Sequence, residues 1–170
     1  MAVVKGLFYF LLTVVVLAVV CGYLLLPAKT HVERTSEIDA PPQAVYALIN
    51  DFRRFNEWSP WAGIDPAASY RFQGPERGLG AKMSWSSENR QVGSGSQEII
   101  ADEPYRRLAV ALDFGDMGEA VAHYRLEPLD DGTRITWSFD ADHGSHLLRR
   151  FFGLFMTGGS AQATKQVWPV

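Results

Sequence analysis

Residues 30–52 read THVERTSEIDAPPQAVYALINDF and contain the transition on which the fold depends. In the first part, Val32 and Ile38 alternate with acidic residues, which predicts a β-strand with one face exposed to solvent. The segment Asp39-Ala40-Pro41-Pro42 then ends the strand and begins a helix, with Asp39 as the capping carboxylate. Apolar residues recur after it at helical spacing, at Val45, Leu48, Ile49 and Phe52. The stretch therefore predicts a strand that leads directly into a short helix.

After an irregular aromatic segment, Phe55 to Trp61, the chain alternates between apolar and polar residues in six short stretches. Glycine, proline, asparagine and aspartate separate these stretches, as in tight turns between strands. Because such short connections join neighbouring antiparallel strands, the pattern predicts an antiparallel meander. The six predicted strands are Ser69–Gln73, Ala81–Ser86, Gly93–Ala101, Arg107–Phe114, Glu119–Glu127 and Thr133–Asp140.

The predicted sheet has one apolar and one polar face. The apolar face carries Tyr70, Phe72, Met83, Trp85, Leu108, Val110, Leu112, Phe114, Ala122, Tyr124, Leu126, Ile135, Trp137 and Phe139. The polar face carries Arg71, Lys82, Ser84, Asp113, His123, Arg125, Arg134 and Ser138. An apolar face needs a cover, and the segment His146 to Met156 is the predicted one because its leucines and phenylalanines give a broad apolar helical face.

An apolar run near the N-terminus, Gly6 to Leu26, contains 21 residues without a charge or a proline. A helix of this length covers the ~30 Å hydrocarbon core of a bilayer, so we expect a single uncleaved transmembrane helix. A cleaved signal peptide is the alternative, although no small-x-small site precedes Pro27. Lipidation of Cys21 is a further alternative, although a bulky valine precedes it. Lys5 and Lys29 flank the run on opposite sides, so charge orients it weakly; we expect a cytoplasmic N-terminus and a domain outside.

The sequence predicts three segments. Residues 1–29 form the membrane anchor, residues 30–156 form an α+β domain, and residues 157–170 form an irregular C-terminal tail. The last boundary follows from Thr157-Gly158-Gly159-Ser160, because two adjacent glycines disfavour a helix interior by about 2 kcal/mol. The covering helix is therefore expected to stop near Met156, about three turns from its start.

Charge and cysteine content exclude several classes of function. Outside the N-terminal segment the chain carries 14 basic and 19 acidic residues, a formal net charge of −5. An acidic domain repels phosphate backbones, which argues against nucleic acid as a partner. The single cysteine, Cys21, excludes a disulfide within the chain and a multi-thiolate metal site.

The most suggestive polar cluster comprises Asp140, Asp142, His143 and His146. Carboxylates and imidazoles can hold a divalent ion, but Asp142 or Ser145 is also a natural helix N-cap, and we interpret the cluster as a strand end and a helix cap. His123 lies on the polar strand face and is interpreted as solvated. Gly93-Ser94-Gly95 lacks the third glycine and the helix of a dinucleotide site, so a bulge or bend is preferred. No catalytic residue, metal or cofactor is predicted.

The order of these elements resembles the helix-grip superfamily, which includes START domains, the birch-pollen allergen and polyketide cyclase-like proteins. The resemblance covers most of the chain from about Val32 to Phe155. It rests on Ile38-Asp39-Ala40-Pro41-Pro42, Val45-Tyr46-Ala47-Leu48-Ile49, Phe55-Asn56-Glu57-Trp58-Ser59-Pro60-Trp61, Gly78-Leu79-Gly80-Ala81-Lys82-Met83-Ser84-Trp85, Gly93-Ser94-Gly95 and Gly132-Thr133-Arg134-Ile135-Thr136-Trp137. It implies an α+β helix-grip fold, in which a curved, seven-stranded antiparallel sheet wraps a C-terminal helix around an apolar cavity.

The resemblance implies a hydrophobic ligand, such as a lipid or a polyketide-like molecule, in that cavity. The candidate ligand-binding residues are Trp58, Trp61, Phe72, Met83, Trp85, Leu112, Phe114, Tyr124 and Trp137. Aromatic side chains also fill ordinary cores, so that interpretation of the group stays open. Trp58 and Trp61 stand apart because they lie near the expected cavity mouth and their N–H groups can meet a polar ligand end.

Three function classes follow. The leading hypothesis is a membrane-tethered binding module for a hydrophobic small molecule. The alternatives are a cyclase- or aromatase-like enzyme acting on such a molecule, and a scaffold domain with an incidental cavity. An enzyme needs an acid or base within reach of its substrate, whereas a carrier needs only walls and one orienting contact.

Overall fold

The computed structural model describes residues 2–144, 146, 147 and 150 of the 170-residue chain. The helices are α1 (Ala2–Leu25), α2 (Pro42–Ile49) and α3 (Phe55–Trp58), with short 3₁₀ turns at Phe52–Arg54, Pro60–Gly63 and Gly115–Met117. The strands are β1 (Lys29–Ile38), β2 (Ser69–Gln73), β3 (Lys82–Ser86), β4 (Ser94–Glu103), β5 (Arg107–Asp113), β6 (Glu119–Leu129) and β7 (Gly132–Asp142). The described part of the chain is therefore α+β, as predicted.

Seven antiparallel strands form one sheet in the order β1-β7-β6-β5-β4-β3-β2. From β2 to β7, neighbours in the sheet are also neighbours in the sequence, so the predicted meander is confirmed. Strand β1 closes the series by pairing with β7, from Lys29 opposite Asp142 to Ile38 opposite Thr133. Every predicted strand is present. The prediction succeeded because period-two alternation and turn residues both act over a few neighbouring residues.

The start of α2 differs from the prediction. Asp39 is not the helix cap: the N-cap is Pro41, which makes no side-chain cap hydrogen bond. The helix starts two residues later than a cap at Asp39 requires, and the backbone N–H groups of Ala44 and Val45 both donate to the Pro41 carbonyl instead. A different side chain fastens this corner, because the Thr133 hydroxyl donates to the Ala40 carbonyl over 2.6 Å.

Two buried clusters lie on the face of the sheet that the alternation predicts to be apolar, here called the inner face. In the larger cluster, α2 and the turn after it pack against the sheet; its buried residues are Val45, Tyr46, Ile49, Phe52, Ala81, Met83, Ile99, Leu108, Val110, Ala122, Leu126 and Ile135. The smaller cluster lies where β1 starts and β7 ends, and comprises Val32, Ala120, Phe139 and Ala141. The opposite face carries ion pairs such as Arg134 with Glu37, 2.7 Å apart.

Helix α1 contains, over Lys5–Leu25, the one stretch of the described residues that is long and apolar enough to cross a membrane. Arg150 joins the end of this helix to the domain, because its guanidinium donates to the carbonyls of Tyr23 (3.1 Å) and Leu26 (3.4 Å). The same group lies 5.4 Å from the centre of the Tyr23 ring. These bonds occupy carbonyls that the last turn of a helix leaves without an intrahelical partner.

The covering helix predicted over residues 146–156, its end near Met156 and the tail over residues 157–170 lie outside the described residues. Three exceptions are His146, Leu147 and Arg150, of which Leu147 and Arg150 are helical. The Arg150 backbone N–H donates to the His146 carbonyl over 3.1 Å, which is the spacing of an α-helical turn. A helical turn therefore begins after β7 where the sequence predicts it.

The segment Gly93-Ser94-Gly95 forms a turn and the start of β4. Gly93 has φ +61°, which favours glycine, and it closes the turn between β3 and β4. Gly95 pairs with Trp85, and a Cβ at Gly95 would lie 2.5 Å from the Asp113 carbonyl oxygen and 2.6 Å from the Trp85 ring. The predicted bulge or bend is not at this segment, because Ser94 and Gly95 pair regularly with β3; the register shift lies further along β4, between Ile99 and Ala101.

We expect the Gly95→Ala substitution to lower the free energy of unfolding by about 1–3 kcal/mol, because the new methyl group would displace the Trp85 ring or the β5 backbone. Urea denaturation of the full chain in detergent micelles, followed by tryptophan fluorescence, measures this. Gly63→Ala is the matched control, since no atom lies within 4 Å of its Cβ position. Equal stability of the two variants would contradict the close contact.

Candidate functional site

Half-buried aromatic rings occupy much of the inner face. They belong to Tyr70 on β2, Trp85 on β3, Phe114 after β5, Tyr124 on β6 and Trp137 on β7. Each ring packs against one of the two buried clusters but keeps part of its surface accessible. These rings could supply the walls of a site for an apolar molecule.

Tyr124 and Trp137 lie opposite each other on β6 and β7, near the centre of this set of rings. Burial raises the pKa of the Tyr124 hydroxyl to about 12, although the Trp137 side chain lowers it and partly offsets the effect of burial. The hydroxyl therefore stays protonated at neutral pH and can donate a hydrogen bond, but it is a poor base.

Trp85 and Phe114 form a second aromatic pair at the end of the sheet where β3 and β5 finish. Their ring centres are 5.9 Å apart in an edge-to-face arrangement. The Trp85 indole N–H donates to the Val92 carbonyl over 3.3 Å, which fixes the ring over Gly95. Met83 and Leu112 lie on the same face, and Met83 is fully buried.

The three remaining candidates lie at the margins of the inner face or away from it. Trp58 packs against Phe55 and Tyr124, with ring centres 5.0 and 6.4 Å away, and its indole N–H donates to the Leu48 carbonyl over 3.1 Å. That N–H is therefore not directed at a ligand, contrary to the expectation from sequence. Trp61 is 51% exposed and Phe72 is 39% exposed, so neither ring is enclosed by the core.

Gln97 is an inner-face residue that the sequence analysis missed. It pairs with Met83 on β3 and Leu112 on β5, and only 5% of it is exposed. Its amide nitrogen has no hydrogen-bond partner in the part of the chain that the structure describes. The signal was available, because Gln97 stands two residues before the buried Ile99 and therefore shares its face.

A buried hydrogen-bonded group joins α2 to β4. The Tyr46 hydroxyl donates to a carboxylate oxygen of Asp102 over 2.5 Å, and the Asn50 side chain lies beside it. Burial, together with the hydrogen bond to Asp102, raises the pKa of Tyr46 to about 12. The group lies beneath the loop between β2 and β3, where the Gly78 N–H donates to the Asn50 backbone carbonyl over 3.0 Å. These three residues hold the loop between β2 and β3 in place, and they do not line the aromatic rings of the inner face.

The residues of the polar cluster around the end of β7 each contact a different partner. Asp140 hydrogen-bonds His31 over 2.6 Å, Asp142 accepts from the Gly144 N–H over 2.9 Å, and the His143 ring lies 2.8 Å from the Thr30 hydroxyl. Within the described ranges, no three histidine, cysteine or acidic side chains are grouped closely enough to hold a metal ion. The Asp142 contact closes a turn before the helical residues and is not the predicted helix cap, because Gly144 is not helical; Ser145, the alternative cap, lies outside the described residues.

Two surface cavities lie at the edge of the sheet that β2 and β3 form. One has a volume of about 500 Å³ and a mostly polar lining of Asp65, Ala67, Ser69, Ser86, Ser87, Glu88 and Asn89. The other has a volume of about 310 Å³ and is lined by Ser69, Tyr70, Arg71, Ser84, Trp85 and Ser86. The second cavity therefore reaches the aromatic group from the β2 edge.

Comparison with known proteins supports this fold. The model of the family described as polyketide cyclase / dehydrase and lipid transport matches residues 29–167. A solution structure of an Arthrobacter aurescens protein is 21% identical with a TM-score of 0.58, and the match covers 81% of this chain and 83% of that one. Ara h 8.0201 is 17% identical with a TM-score of 0.58, covering 82% and 95%.

A Chromobacterium violaceum protein of known structure is 17% identical with a TM-score of 0.54, covering 82% of this chain and 95% of that one. At these identities the likeness shows a shared fold alone, which confirms the helix-grip architecture implied by the sequence. A comparison with curated protein sequences found no match.

We expect Tyr46→Phe to lower the free energy of unfolding by about 1–3 kcal/mol at pH 7, because the Asp102 carboxylate loses the hydroxyl that donates to it. The folded pKa of about 12 lies above the ordinary value of 10.0. The contribution of the hydroxyl is therefore full below pH 10 and is lost as the pH rises toward 12. The difference between parent and variant should shrink by about 1 kcal/mol between pH 9 and 11.

Urea denaturation of both proteins at several pH values measures this difference. Thr35→Val is the control, because it removes an exposed hydroxyl that also hydrogen-bonds another side chain, that of Thr136. A Tyr46→Phe variant as stable as the parent at pH 7 would show that the hydroxyl contributes nothing to the fold.

Proposed function

Because the chain belongs to the polyketide cyclase/dehydrase and lipid transport family, we propose that it binds a hydrophobic small molecule against the inner face of its sheet while α1 tethers it to a membrane. The observation that carries the proposal is the group of half-buried aromatic rings on that face. Hydrogen bonds and edge contacts hold these rings in place, so they offer apolar walls of fixed orientation.

Met83, Trp85, Leu112, Phe114, Tyr124 and Trp137 are the proposed ligand contacts. Trp58 closes one end of this group through its packing on Tyr124. The exposed rings of Trp61 and Phe72 are not part of the proposed site. The ligand is a lipid or a polyketide-like molecule, since the family description names both classes of chemistry.

Binding is favoured over catalysis by the polar groups among these residues. The Tyr124 hydroxyl, with a pKa of about 12, holds its proton at neutral pH and orients a ligand rather than exchanging protons with it. The indole N–H groups of Trp58 and Trp85 are engaged by backbone carbonyls. These groups are suited to a carrier, which needs walls and an orienting contact but no general base.

The proposed tether is α1, with residues 1–29 as the anchor and residues 30–156 as the binding domain. Three residues separate the end of α1 from the start of β1, and Arg150 bonds the last turn of α1 to the domain. The domain is thereby held with one end of its sheet close to the membrane surface. We place the N-terminus in the cytoplasm and the domain on the opposite side.

Titration with fatty acids, phospholipids or aromatic polyketides should change the tryptophan fluorescence and raise the thermal stability of the full chain. A ligand at 100 times its dissociation constant adds about 2.7 kcal/mol to the free energy of unfolding. Trp137→Phe should lose much of the fluorescence change, because its ring lies in the proposed site. Trp61→Phe is the control, since that ring is 51% exposed and should keep the parent response. Unaltered emission and stability across all three ligand classes would refute the proposal.

The tether is tested separately by washing membranes that contain the full-length protein with alkaline carbonate. The protein should stay in the membrane pellet with its N-terminal segment intact, because a spanning helix is not released by carbonate. Truncation of residues 1–25 should release the protein. A mature N-terminus near Lys29 in the parent would instead indicate a cleaved signal peptide, and labelling of a cysteine introduced into the domain reports the side it faces.

A further inference from the structure

Gln97 presents a polar group at a position where its surroundings are apolar. Its flanking partners across the sheet are Met83, which is 1% exposed, and the half-buried Leu112. Along β4, Ile99 lies on one side with 0% exposure, and on the other side the Trp85 ring covers Gly95. The amide is therefore surrounded by hydrocarbon and an aromatic ring within the inner face.

The amide nitrogen of Gln97 carries two N–H donors and has no hydrogen-bond partner among the described residues. Burying a donor without a partner costs free energy, and most buried polar side-chain atoms in proteins are satisfied. By contrast, the indole N–H of Trp85 on the same face donates to the Val92 carbonyl. The donor at Gln97 thus needs an acceptor that the described residues do not supply.

We propose that Gln97 is the specificity contact of the binding site, whose amide N–H groups donate to a carbonyl or carboxyl oxygen of the bound hydrophobic molecule. This assignment rests on the proposed function. It narrows the class of ligand to apolar molecules that carry a carbonyl or carboxyl oxygen, such as a ketone, an ester or a fatty acid. A pure hydrocarbon of the same shape would leave the donor unsatisfied and bind more weakly.

Two probes of nearly identical shape separate the acceptor from the apolar body. These are 2-acetylnaphthalene, which has a ketone oxygen, and 2-isopropenylnaphthalene, in which a methylene group replaces that oxygen. Equilibrium dialysis of the full-length protein, with the same detergent on both sides, gives both affinities. Each affinity is corrected for the partition of that probe into protein-free micelles. After this correction, we expect the parent to bind the ketone about 5- to 30-fold more tightly than the alkene, since only the ketone can accept a hydrogen bond from the buried donor.

Gln97→Met removes the donor and keeps the length of the side chain. It should lower the affinity for the ketone by that same factor and leave the affinity for the alkene within about twofold. Gln91→Met is the matched control, because Gln91 is exposed in the turn between β3 and β4 and should keep the parent preference. A Gln97→Met variant that retains the ketone preference would overturn the assignment while leaving the binding function intact.

A second measurement on the parent protein needs no variant. The infrared carbonyl stretch of bound, ¹³C-labelled 2-acetylnaphthalene should move to lower wavenumber than in protein-free micelles, and an unshifted band would overturn the assignment. If neither probe binds the parent, the role of Gln97 fails, and the titration with fatty acids, phospholipids and aromatic polyketides decides the proposed function separately. If both probes bind equally well, only the role of Gln97 fails.

Discussion

The pairing of β1 with β7 organises most of what the described residues show. Strands β2 to β7 meet through hairpins, but β1 meets a strand about one hundred residues further along the chain. Closing such a long loop costs entropy, and ten consecutive residue pairs and the Thr133 bond to Ala40 offset it. The pairing places the end of α1 beside the end of β7, and the start of α2 beside the turn between β6 and β7. Without it, neither the tether nor α2 would have a fixed position relative to the inner face.

The inner face both holds the sheet to the elements packed on it and leaves aromatic rings partly accessible, two requirements that compete in most proteins. Buried clusters at both ends of the face, one under α2 and one where β1 starts, hold the sheet to its neighbours. Between and beside them, aromatic rings are fixed by contacts at their edges, as in the hydrogen bond from the Trp85 indole to the Val92 carbonyl and the packing of Phe114 on Trp85. Rings held in this way keep their orientation without being fully enclosed. If an apolar molecule binds there as proposed, the face need not reorganise first, which favours affinity.

Local patterns account for the elements that the sequence predicted well. Alternation and turn residues located all seven strands to within two residues of their ends, because both signals act over a few neighbours. The Asp39 cap was wrong because the two prolines delay the helix, and the partner that fastens this corner, Thr133, is remote in sequence. Gln97 was missed because glutamine suggests an exposed position unless the phase of its strand is followed through Ile99. The direction of the Trp58 N–H depends on the Leu48 carbonyl, which no periodicity reveals.

The short connection between α1 and β1 restricts where a tethered domain can go. Three extended residues span about 10 Å, and Arg150 shortens even that reach by bonding to Tyr23 and Leu26. If α1 crosses a bilayer as proposed, the domain diffuses only in two dimensions and cannot ferry a molecule from one membrane to another. The nearest source of an apolar ligand is then the same membrane. A molecule dissolved in that bilayer would be present near the sheet at a local concentration far above its concentration in water, so even a weak site would be filled.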